Sequence, residues 1–246
     1  MSLASIRRPA RAFAVLVSLL AVASLIGCGS STDQPPGAGG AANGNQVAGA
    51  AVPKLAPDAL VKKVALVKAD FTDGTKVKLI QDGDVVAGQV TLDNCGALFT
   101  TEAHRTARHQ TVMVSAKKRA YGFSNEVVAY DTTQRAAAAL EELRQSIAHC
   151  PKKIFIPSKV QGVPDTRNDV NKLSTFAGLP VKDTAVQTLV LSAHGTTQHF
   201  YGMAIYQRQG TVLDIVYLQS MKKLPPEAVK KLRSLALLTG KRLAAT

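Results

Sequence analysis

Residues 185–219 read AVQTLVLSAHGTTQHFYGMAIYQRQGTVLDIVYLQ. Three runs of β-branched, aromatic and aliphatic residues are separated by short turn sequences holding Gly195 and Gly210. Runs of this length and composition are strands, and connections this short join neighbours antiparallel. Whatever else the chain does, it must build a sheet around this meander.

The remaining elements follow from periodicity and turn chemistry. APDALVKKVALVKADF reads as a short helix capped by Asp58, with Leu60, Val61, Val64 and Ala65 on one face. KVKLIQ and VVAGQVTL read as strands joined at Asp82-Gly83-Asp84, a hairpin signal. TEAHRTAR reads as a short helix, TVMVSA and SNEVVAY as strands. Asp131 or Thr132 then caps a long helix in which Ala136, Leu140, Leu143 and Ile147 recur at helical spacing. Cys150 closes that helix before Pro151, which cannot continue it. Residues 157–185 are rich in Pro, Gly, Asp and Asn and read as including a long loop. Pro225-Pro226-Glu227 starts a C-terminal helix. Strand groups interrupted by helices give an α+β class: an antiparallel sheet with helices packed on it, in one domain from Lys54 to Thr246.

The N-terminus sets the compartment. Arg7, Arg8 and Arg11 precede an apolar run from Phe13 to Ile26, shorter than the roughly 20 residues of a spanning helix. Leu25-Ile26-Gly27-Cys28 then resembles a bacterial lipobox. This pattern implies a signal peptide over 1–27, cleavage before Cys28, and acyl chains on that cysteine. Such chains contribute about 0.8 kcal/mol per buried methylene. Residues 28–53 hold the lipidated cysteine and a Gly/Ala/Ser-rich linker without apolar period. As a flexible tether it reaches about 25–30 Å. The expected location is the extracytoplasmic face of the cell membrane, with the membrane held through the lipid anchor.

That location decides the cysteine count. Of three cysteines, Cys28 carries lipid, so Cys95 and Cys150 remain in an oxidising compartment and are expected to pair. The loop they close would contribute roughly 4 kcal/mol in the chain-entropy model. Neither belongs to a CxxC pair, which argues against a metal or redox role.

Charge and motifs narrow the chemistry. Removing the three leader arginines lowers the formal net charge from +13 to +10. A basic exported domain stays near anionic lipid or acidic wall polymer, and nucleic acid is not an expected partner outside the cell. Arg105, Arg108, His109, Lys117, Lys118 and Arg119 form the densest basic region, read either as a solvated face or as an anion-docking surface. The chain has no tryptophan, which disfavours a carbohydrate site built on broad aromatic platforms. Ser115-Ala116-Lys117-Lys118 and Ser220-Met221-Lys222-Lys223 match SxxK only as chance would supply. GxSxG, HExxH and Walker A sequences do not occur. His194 and His199 flank a turn, but two imidazoles do not make a stable metal site. No metal or cofactor is expected. Asp214 stands out among apolar residues. A two-residue turn at Gln209-Gly210 would set it opposite Ile205, with Met203 facing Val216 and Tyr201 facing Leu218. An acid there is either compensated by a basic partner or lines a cleft. Asp214, Tyr201, Met203, Arg105 and Arg108 are therefore the candidate ligand residues.

SNEVVAYDTTQRAAAALEELRQSIAHC (124–150), preceded by LDNCG (92–96) and followed by strong strands and a C-terminal helix, resembles the PknH-like extracellular sensor domain. That actinobacterial family occurs as the ectodomain of receptor kinases and as free-standing lipoproteins. The pattern extends over about residues 55–240, the motif over 92–150. Relatives often carry a second disulfide and a tryptophan shortly before the helix-ending cysteine; this chain has no further cysteines, and Ile147 stands near that place. The resemblance implies an antiparallel sheet with a ligand cleft and brings no catalytic residues. The expected function is a non-catalytic, sensor-like domain binding an envelope ligand. A module that docks on an envelope protein is the alternative, and an enzyme acting on envelope polymers a more distant one.

Overall fold

Residues 55–117, 119–153, 155–157 and 165–246 are described by the computed structural model. The expected signal peptide, Cys28 and its linker lie outside the described residues, as do Lys54 and Lys118. Helix α1 (Pro57–Val64) precedes β1 (Lys76–Leu79), β2 (Arg105–Val114) and β3 (Tyr121–Tyr130). Helix α2 (Thr133–His149) leads to β4 (Phe155–Ile156), β5 (Thr166–Ser174), β6 (Asp183–Ala193), β7 (His199–Gln209) and β8 (Val212–Ser220), and α3 (Pro226–Ala244) closes the chain. All eight strands form one sheet in the order β1-β2-β3-β8-β7-β6-β5-β4, antiparallel throughout. The α+β expectation holds.

Helices cover both faces. α2 lays Ala136, Ala139, Leu140, Leu143 and Ile147 against Val128, Ala204, Tyr206, Leu213 and Ile215. Its N-terminus is capped by Thr132, whose side chain accepts from the Arg135 amide. On the opposite face α3 packs Ala228, Leu232, Leu235 and Ala236 on Phe123, Ile205, Val216 and Leu218. α1 adds Val61 and Val64 beside Val127, Val212 and Leu243. Asp58 is not the cap of α1: Ala56 holds that position, Pro57 opens the helix, and Asp58 lies in the first turn, where its charge complements the helix dipole. Among the described residues no helix is long and apolar enough to cross a membrane.

Four other elements differ from expectation. VVAGQVTL is a loop rather than a strand, because β2 takes the place beside β1. Carbonyls of that loop instead accept from Arg105: Gln89 O from Nη2 and Val86 O from the same nitrogen at 3.4 Å. TEAHRTAR divides into a short 3-10 helix, Thr100–His104, and the first residues of β2. Within 157–185 lies the nine-residue strand β5, whose sequence TRNDVNKLS is polar because it sits near the sheet edge. The β7–β8 turn falls at Gly210-Thr211, so Gln209 faces Val212 and Gln207 faces Asp214. Gly210 takes φ +55°, which suits glycine at the first central position of a mirror-image hairpin turn. A shift of two residues leaves every side chain on its expected face.

The sheet's margins are weak templates for further pairing. β1 has four residues, two of them Lys76 and Lys78. β4 pairs only Phe155 and Ile156 with β5, and β5 itself is irregular between Asn168 and Val170.

Cys95 and Cys150 form the expected disulfide, with Cα atoms 5.8 Å apart. It ties the loop after Asn94 to the end of α2. Asn94 is buried beside it: Nδ2 donates to Ser146 Oγ at 2.7 Å, and Oδ1 accepts from Asn171 at 2.7 Å and Gln187 at 2.8 Å. Replacing both cysteines by alanine is expected to lower stability by about 2–4 kcal/mol, read by denaturant melts; in the wild type, neither thiol should alkylate after unfolding without reductant. Gly240 supports a second expectation. A Cβ there would meet Gln207 Oε1 and, at 3.0 Å, Pro180 Cδ. Gly240→Ala should therefore lower the melting temperature, by roughly 1–3 kcal/mol of overpacking, although alanine ordinarily favours a helix.

Candidate functional site

The arginines expected at a surface turn inward. Arg108 Nε donates to Glu126 Oε1 at 2.6 Å, each side chain 2% exposed. Its Nη1 donates to Asp82 O at 2.9 Å, fixing the turn after β1. Arg105 donates from Nε to Glu102 O at 2.9 Å and from Nη1 to Thr91 Oγ1 at 3.0 Å. Both hold the loop between β1 and β2 on the sheet. Breaking one side of a buried pair costs about 3–5 kcal/mol, so a change at Arg108 would act on folding first. Burial, then the nearby Lys62, lowers the His109 pKa and favours its neutral form.

Asp214 is fully buried between the sheet and α3 and lines neither cleft described below. It accepts from Asn125 Nδ2 at 2.7 Å, from Gln207 Nε2 at 3.1 Å and from the Thr239 hydroxyl. Neutral donors, rather than a basic partner, compensate it; the nearby Arg242 pairs with Asp70 at 3.0 Å. Burial pushes its pKa from the ordinary 3.8 up to about 6, against the opposing bonds from Thr239, Asn125 and Gln207. Met203 packs half-buried on the α3-side core, and Tyr201 sits toward the sheet end with its ring 6.1 Å from that of His199. The five candidate residues are thus distributed over the fold.

A serine, a histidine and an aspartate meet elsewhere. Ser192 Oγ donates to Asp169 Oδ2 and lies 3.1 Å from His199 Nδ1, which is itself 3.8 Å from Asp169. Hydroxyl and carboxylate approach the same ring nitrogen. A relay needs them on opposite nitrogens, so this cluster has no nucleophile-activating geometry. His199 pairs across the sheet with Ser192, while His194 stacks edge-on against Phe155 at 5.1 Å. Among the described residues no group of three or more His, Cys, Asp or Glu is placed to hold a metal.

One cleft brings charge and aromatic surface together. It encloses about 240 Å³ where the β2–β3 connection meets α3. Phe71, Met113 and Phe123 form an apolar floor continuous with the α3-side core. Tyr121 stands edge-on to Phe123, ring centroids 5.8 Å apart. Three cations border it from separate places in the chain: Lys117 and Arg119 from the β2–β3 connection and Lys231 from α3. The Arg119 guanidinium lies 5.6 Å from the Tyr121 ring centre and donates to its hydroxyl at 3.0 Å. Lys231 lies 5.4 Å from the Phe71 ring centre. Such ring faces favour cations and fix their position. Asp73 is the carboxylate of the lining. It accepts from Thr75 Oγ1 at 2.6 Å and the Thr75 amide at 3.1 Å, and these bonds hold its pKa below the ordinary carboxylate value. Of the lining, the sequence singled out Lys117 and Arg119 only; Phe71, Asp73 and Lys231 arrive through tertiary structure.

A second, wider hollow of about 390 Å³ lies between residues 97–99 and α2. Leu98 is 95% exposed there, and Glu141 and Glu142 stand on its helical side.

No family model matches the chain, and no curated protein matches it closely enough to count as a relative. Among solved structures the chain is similar to the extracellular domain of PknH from Mycobacterium tuberculosis, at 10% identity and a TM-score of 0.47, over 76% of this chain and 97% of that one. It is also similar to an uncharacterised protein of Mycobacterium smegmatis, the Rv0999 ortholog, at 12% identity and a TM-score of 0.39, over 76% and 98%.

Asp214 gives a pH expectation with a definite sign. Its folded pKa is raised, so the native state holds the proton more tightly than the unfolded chain does. That contribution is complete below about pH 4 and is lost as pH rises to about 6, falling by up to roughly 3 kcal/mol. Asp214→Asn should flatten this part of the stability profile, read by denaturant melts from pH 4 to 7.

Proposed function

We propose that the chain is a lipid-anchored, extracytoplasmic domain of the PknH-like sensor kind that binds an anionic envelope ligand without transforming it. The observation that carries this reading is the convergence of Lys117, Arg119 and Lys231 over an aromatic and aliphatic floor. Cations held above apolar surface suit an amphiphilic anion, whose charge meets the rim while its carbon skeleton leaves water. The disulfide fits an oxidising compartment, and the Cys28 pattern supplies the anchor. The Ser192 cluster lacks a relay, which favours binding over hydrolysis.

Leu98, 95% exposed beside the second hollow, favours docking of an envelope protein as the second reading. The two separate by experiment. Native mass spectrometry of the full chain purified from host membranes should show a co-purifying anionic small molecule or lipid. The adduct should disappear when Lys117, Arg119 and Lys231 are all changed to alanine. An adduct that survives in the triple variant, or one lost on Leu98→Asp instead, would move the function away from this cleft.

A further inference from the structure

Building on the ligand-binding reading of this cleft, we infer that the group its rim recognises is a phosphoryl monoester, with the first few carbons of the ester lying on the Phe71 and Phe123 side. The inference rests on the number of the cations and on the elements that carry them. Lys117 and Arg119 come from the β2–β3 connection and Lys231 from α3, so the lining draws its cations from two separate elements. A carboxylate offers two coplanar oxygens and one charge, suited to a single guanidinium fork. A phosphoryl group offers three oxygens in a tetrahedral spread and up to two charges, and so can accept from all three donors at once. Charge balance agrees. Three cations face one carboxylate, Asp73, which accepts two bonds from Thr75 and lies 3.9 Å from Arg119, so two positive charges remain for a dianion to neutralise. Size agrees as well. About 240 Å³ lies below the usual 300–1,000 Å³ of a site for a drug-sized ligand. A phosphoryl group and a short carbon stem belong in such a space, whereas a whole lipid would leave its tails outside.

The test uses n-butyl phosphate, inorganic phosphate and pentanoate as titrants of the full chain in isothermal calorimetry. Butyl phosphate should bind at least tenfold more tightly than pentanoate and more tightly than inorganic phosphate. Its affinity should rise between pH 5.5 and 7 as the second phosphate proton leaves, near pH 6. Arg119→Gln and Lys231→Gln should each weaken it by about tenfold or more, with melting temperatures unchanged. Equal binding of butyl phosphate and pentanoate, affinity flat over that pH range, or unaltered binding by both variants would overturn the inference. A co-purifying ligand that lacks phosphorus would overturn it too, while leaving the ligand-binding reading intact. Vesicles containing phosphatidic acid decide the source: competition with butyl phosphate assigns the phosphoryl group to a lipid headgroup, and its absence assigns it to a soluble ester.

Discussion

A strand covered on both faces cannot alternate apolar with polar residues, and β8 carries this constraint for the whole molecule. Val212, Leu213, Ile215, Val216 and Leu218 are each at most 1% exposed. Residues pointing one way meet α2, and those pointing the other meet α1 and α3. The meander at residues 185–219 therefore needs helices on two sides, and the amphipathic stripes of α2 and α3 answer that need. The two carboxylates of this interior enter it with bonded partners, whereas the Tyr130 hydroxyl and Gln207 Oε1 are buried without a hydrogen bond. Asp214 arrives with Asn125, Gln207 and Thr239 on the α3 side, and Glu126 with Arg108 on the other.

The elements that could be read from sequence are those whose apolar pattern matches their burial. α2 showed its stripe at Ala136, Leu140, Leu143 and Ile147, and the strongest strands needed no context. β5 could not be found this way, since Arg167, Asn171 and Lys172 give no period where one side of a strand meets solvent. VVAGQVTL misled for the opposite reason: it has strand composition, yet its backbone groups serve Arg105 instead of a neighbouring strand. The hairpin register slipped by two because both Gln209-Gly210 and Gly210-Thr211 satisfy the same turn chemistry, and only the pairing across β7 and β8 chooses between them.

The cleft was less legible than the fold. Arg105 and Arg108 belong to the densest basic stretch, but the irregularity of β2 between Arg105 and Ala107 sets both on one face, and the covering loop and Glu126 take up their guanidinium groups. Lys117 and Arg119, only a few residues on, lie past the end of that strand and stay at the rim. Lys231 is more than one hundred residues from either, and nothing in its neighbourhood distinguishes it from Lys230. Asp214 was conspicuous in sequence because it interrupts an apolar run. In the fold that interruption is filled by three side chains brought from β3, β7 and α3.

The margins of the sheet would matter most if the domain is held on a membrane, as proposed above. Proteins confined to a plane meet one another far more often than the same number in solution, and an open strand edge then invites end-to-end growth of sheets. Here β1 ends the sheet with four residues carrying Lys76 and Lys78, β4 ends it with two, and β5 is irregular between Asn168 and Val170. Short, charged and kinked borders deny a neighbouring copy a straight template. Copies crowded in a plane would then lack a straight strand edge along which to extend one another's sheets.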